Sequence, residues 1–119
     1  MILKITTEIM NPEMFEELLY SKAGLIEKML KTQKIQWSAD DWTGRYNVWW
    51  DTEADPENAD IYKFFIITLC RYTAKRKNHR VILSDLDKAY QQMRYFLIRL
   101  GYVGEQDKKA RAVLLEPLK

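Results

Sequence analysis

Apolar positions recur along most of this chain with the three-to-four-residue period of amphipathic helices. Between residues 12 and 31, Met14, Leu18, Leu25 and Met29, with Phe15, Leu19, Ile26 and Leu30 beside them, make one stripe. Asn11-Pro12-Glu13 supplies its start: Asn11 can accept from the free amides, Pro12 suits the first helical position, and Glu13, Glu16 and Glu17 complement the helix dipole. Lys28, Lys31 and Lys34 crowd its other end. Gly24 within the stripe costs about 1 kcal/mol relative to alanine, which marks a kink or a close approach.

Three further helical segments follow from the same reasoning. Asp55 before Pro56 reads as a cap and a first-turn proline. From Ile61 to Tyr72 the chain is apolar nearly all round, as expected of the central helix of a small bundle. Ser84 opens a segment whose inward stripe is Leu86, Ala89, Tyr90, Met93, Phe96, Leu97 and Leu100, with Gly101 where a left-handed C-terminal cap belongs. Ala110, Val113 and Leu114 give a last segment from about 104 to 115, which Pro117 ends.

Two stretches are less regular. Residues 2–7, ILKITT, form a short strand or an extended arm. In 38–50, Ser38 and the following acids resemble a helix start, and Trp42, Tyr46, Trp49 and Trp50 fall on one helical face. Thr43, Gly44, Asn47 and Val48 are poor helix formers, however, and Tyr46, Val48 and Trp50 also fit a strand. A short helix is the favoured expectation. The whole is then an all-α, compact bundle of four to five helices in one helical domain, 1–119, with a possible short N-terminal extended arm.

Composition changes this picture little. Apolar residues are 47% and charged residues 30%, the balance of a globular protein that can bury a core without disulfides or structural metal. A single cysteine, Cys70, and no signal-like N-terminus lead to the expectation of a cytoplasmic protein. The longest apolar run, FFIITLC, is too short to span a membrane, so no membrane partner is expected.

Charge adds more. The total is +2, but residues 38–60 carry net −6 and residues 63–80 net +6. The basic run Arg71, Lys75, Arg76, Lys77 and Arg80 is a candidate for contacting nucleic-acid phosphates, with Tyr72 able to stack on a base. Its alternative is a solvated helix end paired with the acidic segment of the same molecule. The acidic run Asp51, Glu53, Asp55, Glu57 and Asp60 invites a divalent cation, but the EF-hand pattern fails: Pro56 stands where its glycine belongs and Tyr62 where its last glutamate does. Capping alone accounts for acids at that place, and no metal or cofactor is expected.

Chemistry-bearing motifs are scarce. His79 is the only histidine, which rules out a two-histidine metal site, and Cys70 in IITLCRY reads as a small core residue. No Gly-rich phosphate loop, CxxC, GxSxG or HExxH pattern occurs. An enzyme is therefore not expected. Trp37, Trp42, Trp49 and Trp50 lie within fourteen residues of one another. Core packing claims some of them, and any left exposed are candidates for binding a protein partner or a second copy in a homodimer.

The stretches GRYNVWWDTEADPENADIYKFFIITLCRYT and RYFLIRLGYVGEQDKKARAVLLEPL resemble a group of small accessory proteins carried on conjugative elements and prophage-like islands of Gram-positive bacteria. The likeness implies mobile-element cargo; it brings with it no activity and no site residues. Taken together, the sequence leads to a non-enzymatic interaction protein that binds a protein partner through a Trp-rich surface. The alternative is a nucleic-acid-binding accessory protein that uses the basic helix end and loop.

Overall fold

A computed structural model describes residues 1–21, 23–40, 42–74 and 88–119. The elements run β1 (Ile2–Thr7), α1 (Pro12–Ser21), α2 (Ala23–Leu30), β2 (Gln36–Ala39), β3 (Tyr46–Asp51), α3 (Ala59–Ala74), α4 (Ala89–Arg99) and α5 (Lys108–Leu115). Short 3₁₀ turns at Pro56–Asn58, Glu105–Asp107 and Glu116–Leu118 flank α3 and α5. The expected all-α helical bundle is therefore incorrect. The described residues form a mixed fold of five helices and a three-stranded antiparallel sheet of order β1-β3-β2.

The difference lies at residues 38–50, where a hairpin forms in place of the expected short helix. Backbone chemistry decides it. Asp40 accepts the Trp42 amide on its side chain at 2.9 Å, and its carbonyl takes the Gly44 amide at 3.0 Å. Gly44 sits at φ +71°, a conformation glycine adopts without a Cβ penalty. Asp40, expected in a helix start, thus builds a turn, and Ser38 lies within β2. In β3 the side chains alternate as a strand requires: Val48 and Trp50 are buried, while Asn47, Trp49 and Asp51 face the other way.

The ILKITT segment is a full strand. Its register with β3 sets Leu3 opposite Trp50 and Ile5 opposite Val48 on the inner face, with Lys4 opposite Trp49 on the outer. The Met1 ammonium lies 3.2 Å from both the Asp51 carboxylate and the Thr52 carbonyl, tying the strand end down. No described helix covers the outer face, where Ile2, Lys4, Thr6, Gln36 and Ser38 are all exposed.

The helical expectations fare better. Asn11 accepts the Met14 amide at 3.2 Å and Asp55 accepts the Glu57 amide at 3.0 Å, the two caps foreseen. Of the helix expected over 12–31, Pro12–Ser21 and Ala23–Leu30 are helical as α1 and α2. α3 buries one face, Tyr62, Phe65, Ile66, Leu69, Cys70 and Thr73, and contacts β1, α1 and α5. It is not apolar-buried all round, because Phe64 is half exposed. The Ser84 cap lies outside the described residues. Buried residues from Leu3 to Leu118 fall into one cluster between the inner sheet face and the helices.

α4 closes with the predicted glycine. The Tyr102 amide donates to the Leu97 carbonyl at 3.0 Å and the Gly101 amide to Ile98 at 3.1 Å, the paired bonds of a Schellman end, with Gly101 at φ +100°. A Cβ there would meet nothing within 4 Å, so the cost of adding one is backbone strain alone. Gly101→Ala is expected to lose about 1–2 kcal/mol, read as a lowered midpoint in urea; an unchanged midpoint would contradict the left-handed cap.

Candidate nucleic-acid interface

The four tryptophans do not form one surface. Trp50 is buried in the central strand. Trp37 is half-buried on the inner side, its ring 5.8 Å from Phe15 edge-to-face and 5.5 Å from Tyr46. Trp49 is half-buried on the opposite, outer face. Trp42, at the tip of the β2–β3 hairpin, is 97% exposed.

Of the basic run, Arg71 is described and exposed on α3. Lys75, Arg76, Lys77 and Arg80 lie outside the described residues, as does His79. Arg71 stands between two adjoining clefts. One, about 310 Å³, runs along β1 and α3 and is shared with Arg45, Glu8 and Met10. The other, about 370 Å³, lies between α3 and the end of α4 and is shared with Arg99, Phe64, Tyr72, Tyr102 and Asp107. Three guanidiniums from the hairpin, α3 and α4 thus flank one run of surface, against the two carboxylates of Glu8 and Asp107. Among the described residues none of the three makes an ion pair. The expected neutralisation of the basic segment by the acidic one is accordingly not seen for Arg71, and Asp51 pairs instead with the Met1 ammonium at 3.2 Å.

The scaffold around these arginines is fixed by ordinary local chemistry. Arg45 follows the turn, its amide on the Thr43 hydroxyl at 3.2 Å and its carbonyl accepting from Asp40 at 2.7 Å. The Schellman end of α4 delivers Tyr102 to the second cleft. Arg111 on α5 then clamps that loop by donating to the Tyr102 and Gly104 carbonyls at 3.1 and 3.0 Å. Tyr102 meets the Phe64 ring edge-on, centroids 6.5 Å apart. Burial pushes the Tyr102 phenol above its ordinary pKa, the nearby Thr68 hydroxyl offsets part of that, and Asp107 adds to it. The hydroxyl makes no hydrogen bond of ordinary geometry among the described residues.

Other candidate chemistry does not assemble. The acidic run brings no three metal-ligating side chains together among the described residues. Cys70 is buried, and burial pushes its thiol up to about 12, so it is not a poised thiolate. A cleft of about 650 Å³ beside the end of α2 sets Lys28, Lys31 and Lys34 against Glu27, Asp51 and Glu53, with no charge bias to select a ligand. No described helix is long and apolar enough to cross a membrane.

Arg45, Arg99 and Phe64 were not among the candidates read from the sequence. Arg45 is a lone base in an acidic segment, and Arg99 looks like an ordinary last-turn cation. Only the i, i+4, i+7 spacing of Phe64, Thr68 and Arg71 on α3 offered a signal. No protein-family model, curated protein or solved structure matches the chain.

Proposed function

We propose that this protein is a non-enzymatic, nucleic-acid-binding accessory protein that tracks a phosphate backbone with Arg45, Arg71 and Arg99. The observation that carries this reading is the convergence, on two adjoining clefts, of three guanidiniums from three separate elements that make no ion pair among the described residues. Guanidinium groups favour phosphate because their planar forks donate two parallel bonds to its oxygens. An ion pair would have to be broken before such contact, and none involves these arginines among the described residues. The basic residues that follow Arg71 in sequence add charge to the same region of the chain. The resemblance to accessory proteins of conjugative elements accords with such a partner.

Retention of a labelled oligonucleotide in a salt series tests the reading. Binding is expected to weaken steeply with salt, and Arg71→Ala and Arg99→Ala should each reduce the logarithmic salt slope by about one. Absence of retention at low salt sinks the idea.

A second reading keeps the protein-partner expectation, with a changed surface. Trp50 and Trp37 serve packing, which leaves the hairpin-tip Trp42 and the outer-face Trp49. The near-complete exposure of Trp42 is the specific observation in its favour, since a solvent-facing indole is an anchor residue at interfaces.

A further inference from the structure

We infer that the cleft between α3 and the end of α4 receives an unpaired base, so that the nucleic acid bound is single-stranded. This rests on the arginine reading above and narrows it. Arg71 and Arg99 line a recess of about 370 Å³, within the ~300–1,000 Å³ range of pockets that enclose small ligands. A duplex keeps its bases stacked inside a convex rod, whose surface cannot fill such a recess. A concave site is filled only when a base is splayed out of its strand, and aromatic faces are what such bases stack on.

The walls meet that requirement. Phe64 is 50% exposed although it lies on the helix that forms the centre of the fold. Its ring is held edge-to-face against Tyr102, at an interplanar angle of 75°, rather than stacked on it. Tyr102 is itself fixed by the Gly101 cap and the Arg111 clamp, so the platform is set before any ligand arrives. Arg71 and Arg99 stand beside it for the phosphate. Asp107, which opposes a phosphate, can accept from a base N–H on the exposed Watson–Crick edge, such as thymine N3–H.

The test is a fluorescence-anisotropy titration of the full chain with a labelled oligothymidylate and with a duplex of equal length, at about 50 and 200 mM salt. The single strand is expected to bind at least about tenfold more tightly than the duplex, and Phe64→Ala to lose about tenfold in single-strand affinity. Phe64→Trp should retain that affinity. Tyr20→Ala, which removes an exposed aromatic on α1, should leave it unchanged, and matching melting curves verify that each variant is folded. Equal affinity for strand and duplex, or no loss in Phe64→Ala, overturns the base pocket and leaves the arginine reading intact. Failure of both ligands to bind at low salt overturns both. Displacement of the strand by micromolar thymidine monophosphate would make the ligand a free nucleotide and also overturn the strand assignment.

Discussion

Trp50→Ala is expected to destabilise the fold by about 3–5 kcal/mol, the range for truncating a fully buried aromatic side chain. Trp50 is 1% exposed and sits in the middle strand opposite Leu3, so its indole borders both the sheet and the helical layer. Removing it leaves a cavity that neighbours on two layers cannot close together. The loss is large against the ~5–15 kcal/mol that hold a typical domain folded. Trp50→Phe discriminates the cause. The indole Nε1 is buried without a hydrogen bond among the described residues, so losing it sacrifices no partner. The phenylalanine variant should therefore cost less than half as much as alanine. Urea unfolding of the three proteins checks this, and equal losses for both variants would mean that cavity volume is not the cause.

Thr52→Val is expected to cost about 2–4 kcal/mol, although it changes the side chain's size very little. The buried Thr52 hydroxyl donates to the Leu30 carbonyl, the last residue of α2, and accepts the Ala54 amide at 3.0 Å. A methyl group in its place leaves a buried acceptor and a buried donor unpaired, at roughly 1–3 kcal/mol each. Thr52 is also joined to Thr32 by an isolated bridge, and the Glu53 amide donates to the Lys31 carbonyl at 3.2 Å. This hydroxyl consequently helps fasten the end of α2 to the end of the sheet. Thr52→Ser, which keeps both bonds, should recover most of the stability. A valine variant as stable as the parent would show that the two bonds contribute nothing net.

The elements legible in the sequence were those whose signals are local. Asn11-Pro12, Asp55-Pro56 and Gly101 each announce a helix boundary through the chemistry of two or three residues, and each stands where it was read. The hairpin was not legible because Trp42, Tyr46, Trp49 and Trp50 satisfy a helical period by accident of spacing. Period alone cannot weigh a turn built by Asp40 and Gly44 against it. The pairing of β1 with β3 is invisible for a different reason: it joins residues 39 to 49 positions apart, as in Leu3 with Trp50. The candidate site follows the same rule. Arg71 was found because it lies in a run of bases, whereas Arg45 and Arg99 become neighbours of one surface only through the tertiary arrangement of hairpin, α3 and α4.

The strand order has a consequence for how molecules of this protein meet. With β3 in the middle, β1 carries a row of peptide groups that no described strand pairs, and ILKITT is rich in the branched residues through which separate sheets fuse. Its one charge is Lys4, at the middle of that strand. The antiparallel register that would stack Leu3 on Ile5 of a second copy sets the two Lys4 ammoniums directly opposite each other. Like charges so placed repel across the pair. One lysine thereby guards the open edge against aggregation while the strand stays apolar on its inner side.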